Sequence, residues 1–167
     1  MSGADLQDSE LIVLTGMSGA GRTTAARALE DVGWFVIDNI PPTLLLEAFE
    51  LASDSSDIKK VAVVVDTRSR SLFAQLRSVM ADLSLHVGSV TTVFLEATDE
   101  SLVRRFESSR RPHPLQNDEG SLDHRIIDGL AREREILGEI RAVADLVIDT
   151  SLLNVHDLRR RIEAAFD

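Results

Sequence analysis

The chain has 167 residues, no cysteine and a formal net charge of −10, which is room for one domain with its own core. Lack of cysteine excludes disulfides, thiolate catalysis and cysteine-ligated metals, and the acidic balance argues against a nucleic-acid platform. No apolar run is long enough to span a bilayer, so no membrane association is expected. Residues 1–10 are polar and acidic, unlike a basic-then-apolar leader, and are expected as a flexible tail before a domain over 11–167. The composition agrees with an expected cytoplasmic location.

Leu11-Ile12-Val13-Leu14 begins a first strand, about 11–15, apolar throughout as a central parallel strand must be. It runs into Gly16-Met17-Ser18-Gly19-Ala20-Gly21-Arg22-Thr23-Thr24 and then an alanine-rich helical stretch to Asp31. Strand, glycine-rich turn and helix is the context in which G-x-x-x-x-G-K-[ST] forms a phosphate-binding loop. The glycines let successive N–H groups converge on one concavity, and the helix adds the positive end of its dipole. Thr23 is placed to bind Mg²⁺ through its hydroxyl. Arg22 stands where the pattern has lysine. It keeps the charge but is longer and planar, poorly matched to the compact ammonium that bridges β- and γ-phosphates. A charge misplaced by about an ångström costs on the order of 100-fold in rate. Nucleotide binding is therefore expected to survive while hydrolysis or transfer is slow.

Gly33 is a good helix stop, and Trp34-Phe35-Val36-Ile37 is a second strand ending in Asp38-Asn39-Ile40-Pro41-Pro42. A helix over about 43–52 breaks at the polar cluster 53–57, and a third strand, 59–65, ends in Asp66-Thr67-Arg68. Residues 69–85 have helical spacing, 90–95 form a fourth strand, and Thr98 or Asp99 can cap a helix ending near Ser109. The stretch 110–120 is polar and proline-broken, hence a loop. A charged helix over 122–143, a fifth strand at 146–148 closing on Asp149-Thr150-Ser151, and a last helix over 155–166 complete the chain. Within the charged helix, Arg132-Glu133-Arg134-Glu135 reads as exposed ion pairs along one element. Alternating strands and helices imply an α/β three-layer sandwich on a five-stranded parallel sheet, of the P-loop NTPase or kinase-like kind.

Ligands of such sheets bind at the carboxyl ends of the strands, where this chain places Asp38, Asp66, Glu96 and Asp149. Each alone reads most simply as a turn or cap residue. Asp66 ends a strongly apolar strand, where an acid can hold the water shell of Mg²⁺. Asp38 can take that duty instead, or orient an attacking water or acceptor hydroxyl. A second constellation is Arg104, Arg105, Arg110 and Arg111, with His113 close behind. Guanidinium suits phosphate oxygens, so a phosphate-closing lid and a solvated loop carry equal weight. Asp38, Asp66, Arg110 and Arg111 are the catalytic candidates. His113 is either a neutral structural residue or a phosphate contact, and no other histidine lies at ligand spacing to it.

Taken together, the blocks running from Gly16 to Gly21 and Ala28 to Asp31, then Val36-Ile37-Asp38-Asn39-Ile40-Pro41, Val65-Asp66-Thr67-Arg68-Ser69, Phe94-Leu95-Glu96-Ala97, Arg104-Arg105-Phe106, Arg110-Arg111-Pro112-His113-Pro114-Leu115, Glu133-Arg134-Glu135-Ile136-Leu137 and Ala144 to Ser151 carry a resemblance. The chain resembles the amino-terminal domain of the RapZ/YvcJ family, bacterial P-loop proteins that include RNase adapters. That resemblance implies binding of ATP and GTP with modest hydrolysis of either. It also implies phosphate contacts from Gly16 through Thr23 and a second nucleotide-site motif at Asp66, with Thr67, Arg68 and Ser69 beside it. The family usually has lysine at the position of Arg22. Its members continue into a second domain, to which RNA binding and amino-sugar-phosphate sensing are assigned, so the chain is expected as an excised domain or a shortened protein. RNA binding is accordingly not expected from these residues, and a homo-oligomer is compatible with them. The favoured reading is a regulatory nucleotide-binding module with weak hydrolysis. The alternatives are a small-molecule kinase transferring the γ-phosphoryl group to a hydroxyl acceptor, and an interaction domain with a vestigial site.

Overall fold

Leu11, Ile12, Val13 and Leu14 are almost fully buried on both sides of their strand, which requires a layer on each face of the sheet. The computed structural model describes residues 6–54, 58–65, 70–109 and 119–167. These residues place β1 (Glu10–Gly16) at the centre of a five-stranded parallel sheet of order β2-β3-β1-β4-β5. β3 (Lys60–Val64) flanks β1 on one side and β4 (Ser89–Glu96) on the other. Leu14 thus pairs with Val64 and with Val93. β2 (Phe35–Ile37) and β5 (Leu146–Asp149) are the shorter, more exposed edges.

Six helices are described: α1 (Arg22–Asp31), α2 (Leu45–Asp54), α3 (Arg70–His86), α4 (Asp99–Ser109), α5 (Glu119–Val143) and α6 (Val155–Phe166). α1 packs with α6, while α5 contacts both α3 and α4, and α2 contacts α3. The expected helix–sheet–helix sandwich on five parallel strands is the observed architecture.

Local chemistry explains the element ends. At the close of α1, the Gly33 N–H donates to Glu30 O and the Trp34 N–H to Leu29 O, both at 3.0 Å, with Gly33 at φ +100. This paired closure consumes the Trp34 N–H, so β2 starts one residue later than the apolar run. The Trp34 indole N–H donates to Phe166 O at 3.2 Å and the two rings meet edge to face, tying the end of α6 to the sheet. Pro42 opens a 3-10 turn, Pro42–Leu44, which delays α2 to Leu45. Of the two cap candidates for α4, Thr98 serves: its Oγ1 accepts the Ser101 N–H at 3.2 Å. Within the stretch expected as tail, Leu6–Asp8 forms a 3-10 turn and Ser9 is buried.

Candidate functional site

The glycine-rich turn leaves the carboxyl end of β1 and enters α1. Gly16, Gly19 and Gly21 have φ of +147, +82 and +110. At Gly16 a side chain is excluded twice over. The backbone is in a region L residues rarely adopt, and a Cβ would lie 2.2 Å from Leu95 O on β4. The same carbonyl accepts the Met17 N–H at 2.9 Å, so the turn starts stitched to β4. Ala20 N–H donates back to Met17 O at 3.1 Å, and the first bond of α1 runs from Ala25 N–H to Gly21 O at 2.9 Å. The N–H groups of Arg22, Thr23 and Thr24 therefore lie outside the helical ladder. Gly19 and Thr23 are exposed, Gly21, Arg22 and Thr24 half-buried, and Met17 and Ala20 buried. The buried side chains of Met17 and Ala20 anchor the turn, while Gly19 and Thr23 stay at the surface. Because β3 and β4 lie on opposite sides of β1, the loop also sits where the connections diverge, the usual ligand crevice of such sheets.

Two side chains hold the turn from behind. Thr150, just past β5 and only 2% exposed, donates its hydroxyl to Ala20 O at 2.7 Å. Its own N–H donates to Glu96 O at 2.8 Å, which fixes it to β4. Arg105 on α4 donates to Gly19 O and to Thr150 Oγ1, both at 3.0 Å, and also to Thr150 O. A peptide unit is planar with its N–H opposed to its C=O. Holding the Ala20 carbonyl against Thr150 therefore turns the Gly21 N–H the other way, away from Thr150. Arg105 belongs to the arginine set for which a phosphate-closing lid and a solvated loop carry equal weight in the sequence; the structure commits it to backbone carbonyls of the loop and of Thr150 and to the Thr150 hydroxyl. Arg104 is exposed, with its guanidinium 3.5 Å from Ser101 Oγ.

Helix α5 closes the other side. The Glu133 carboxylate accepts the Ser18 N–H of the loop. Arg134 donates to Asp99 Oδ1 at 2.9 Å and to Ala97 O. Arg141 grips both oxygens of Glu96 at 2.6 and 2.9 Å, and that carboxylate raises the guanidinium pKa above its usual range. The expectation of local ion pairs along α5 thus fails for Glu133 and Arg134: each reaches across to the strand ends. Glu96 is a structural tie for the same reason. Asp149 accepts the Ser151 N–H at 2.9 Å and its hydroxyl at 2.5 Å. Those bonds, with the charges of Arg105 and Arg134 adding less, hold its carboxyl below the usual carboxylate range.

Asp38 is exposed at the end of β2, with β3 between its strand and β1. Asp66, Thr67, Arg68, Ser69, Arg110, Arg111 and His113 lie outside the described residues. Among the described residues no group of three or more His, Cys, Asp or Glu side chains can hold a metal. The exposed hydroxyl of Thr23 is an oxygen donor of the kind Mg²⁺ prefers. That hydroxyl fits an ion shared with phosphate oxygens. No described helix is long and apolar enough to cross a membrane. The loop itself was marked by its spacing, whereas Thr150, Arg105 and Glu133 were not assigned these roles. For Thr150 one signal was available: it is a polar residue one position past a strand, at the ligand edge of the sheet.

The family description RapZ-like N-terminal domain matches residues 9–167. A protein of Streptomyces coelicolor named nucleotide-binding protein is 55% identical over 158 residues, covering 94% of this chain and 51% of its own length. The chain thus spans about half the length of the curated relatives it matches. Among solved structures, a shikimate kinase from Bacteroides thetaiotaomicron superposes with a TM-score of 0.60 at 18% identity, covering 93% of this chain and 96% of that one. The tunicamycin resistance protein of Deinococcus radiodurans also gives 0.60, at 21% identity, covering 94% of this chain and 95% of that one. These two likenesses are of fold. The family match covers almost every residue from β1 to the end of α6, so the chain belongs to the RapZ-like N-terminal domain family.

Proposed function

We propose that this domain binds a nucleoside triphosphate, ATP or GTP, and hydrolyses it slowly as the regulatory nucleotide-binding part of a longer protein. The observation that carries the reading is the loop: a glycine turn at the carboxyl end of the central strand, opening a helix, with the Ala20 carbonyl held behind it by Thr150. Backbone donors and a helix amino terminus facing one concavity form an anion site that suits phosphate. The name nucleotide-binding protein carried by relatives at 55% and 53% identity supports the same ligand class.

In this reading Gly16, Met17, Ser18, Gly19, Ala20, Gly21, Arg22, Thr23 and Thr24 form the phosphate site; the Met17 and Ala20 N–H groups are bonded to Leu95 O and Met17 O, so those two residues shape the turn and the others supply the contacts. Thr23 and Asp66 serve Mg²⁺, partly through water, and the ion offsets phosphate charge. Asp66, Thr67, Arg68 and Ser69 form a second nucleotide segment, and Asp38, Arg110 and Arg111 act on the transferred group. RNA recognition is assigned outside this domain in the same reading, which the chain's charge of −10 supports.

Titration calorimetry with ATP, GTP and their diphosphates, with and without Mg²⁺, tests the reading. Saturable binding of the triphosphates, strengthened by Mg²⁺, is expected. Absence of heat with every nucleotide at about millimolar concentration, far weaker than a working phosphate loop, would overturn it. Diphosphate formation that is slow in water but accelerates with one hydroxyl compound, without matching release of inorganic phosphate, would instead identify a kinase.

A further inference from the structure

The glycine loop is met by a charge of its own chain. Glu133 belongs to α5, and its carboxylate accepts the Ser18 N–H, a main-chain donor of the turn read above as the phosphate cradle. Helix α5 is fixed at this level by the next residue, since Arg134 is committed to Asp99 and Ala97 at the start of α4. Two turns further on, Arg141 grips Glu96 at the end of β4. The carboxylate is therefore kept within reach of the loop. The helix that carries it is pinned to the same strand end that supports the loop.

A convergent set of backbone N–H groups favours an anion, and a carboxylate satisfies such a donor with a charge-assisted hydrogen bond. A phosphate entering the cradle meets that acid both as a competitor for the Ser18 N–H and as a like charge at close range. Like charges near a protein surface repel strongly at contact distances. The penalty grows with the charge of the ligand, so a triphosphate suffers more than a diphosphate.

We propose that Glu133 is a built-in competitor of the loop, a carboxylate that bound nucleotide must displace, and that it sets how strongly the site discriminates between triphosphate and diphosphate. The proposal rests on the nucleotide reading above. Glu133 has rotatable bonds enough to swing aside without moving α5, so displacement leaves the Arg134 and Arg141 ties in place.

Calorimetry with ATP and ADP on the wild-type chain, Glu133→Gln and Glu133→Ala tests it. Glutamine keeps the shape and an acceptor oxygen but loses the charge; alanine loses both. Both variants are expected to bind ATP about tenfold or more tighter than the wild type, the scale of one charged hydrogen bond, with a smaller gain for ADP. Circular dichroism and thermal melting confirm that each variant is folded. Gains that are equal for ATP and ADP, affinities that stay unchanged, or weaker binding by Glu133→Gln would overturn the competitor role; the last outcome would mean that the carboxylate supports the ligand. Nucleotide bound by the wild type with any of these results leaves the nucleotide reading standing. Silence from the wild type with clear ATP binding by Glu133→Ala supports both, whereas silence from all three proteins overturns both.

Discussion

Arg22 begins α1, half-buried, at the position where phosphate loops of this spacing carry lysine. What it alters follows from its shape. The backbone donors of the turn and the Thr23 hydroxyl are untouched by the exchange, so the terms that bind phosphate persist. The term that changes is the fit of a compact cation to charge moving between phosphates, which belongs to the transition state. Arg22→Lys is therefore expected to raise the rate of phosphate release by roughly tenfold or more while nucleotide affinity changes little. Paired measurements of turnover and calorimetric affinity check this. A loss of both would show that Arg22 is adapted to its surroundings. The loop glycines, Arg22 and Thr23 were readable in the sequence because spacing along one short segment defines their roles. Glu133 was not, because 115 residues separate it from Ser18, and the charges beside it offered a sufficient local explanation.

Elements were legible where one kind of interaction dominates. The strands are runs of apolar residues with no competing helical period, and their observed bounds differ from expectation by a residue or so at each end. Where backbone hydrogen bonds compete, the boundary moved: Trp34 lost its place in β2 to the closure of α1, and Pro42 diverted the entry of α2 into a 3-10 turn. What holds one element to another left no such trace. The loop after β1 is fixed to the end of β5 by the Thr150 hydroxyl, across 130 residues of sequence. Thr150→Val keeps the volume but removes the donor, leaving the Ala20 carbonyl without its bond in a buried setting. A loss of about 1–3 kcal/mol in stability is expected, together with weaker nucleotide binding as the Gly21 N–H loses its aim. Thr150→Ser restores the hydroxyl and should recover affinity more fully than stability, because the methyl group is still missing. Urea unfolding and calorimetry on the three proteins separate those effects. Equal affinity across all three would show that the loop holds its shape without Thr150.

At the scale of the molecule, alternating strands and helices gave a parallel sheet but not its order. Any permutation with β1 inside buries the same apolar runs; the observed order β2-β3-β1-β4-β5 goes with packing between helices far apart in sequence, such as α1 with α6, which local patterning does not encode. That order brings the ends of β1, β4 and β5 together, and with them Asp149 and Glu96. The consequence for pH is specific. The Ser151 bonds hold the Asp149 carboxyl below its usual range in the folded chain, so the folded state favours the charged form more than the unfolded state does. The stability this confers is fully present above the unfolded carboxylate pKa, about 3.9, and is lost as pH falls through the lower, folded value. The whole-chain profile does not isolate this effect, because a net charge of −10 means that acid also relieves repulsion among other carboxylates, with the opposite sign. The difference between two proteins does isolate it. Asp149→Asn keeps the side-chain shape and removes the titration. Its melting temperature should lie below that of the wild type at neutral pH, and the gap should close as pH is taken below about 4. Melting curves of both proteins from pH 7 to pH 3 read this directly, and a gap that stays constant would mean that Ser151 and Asp149 interact in the folded state without favouring the charged form.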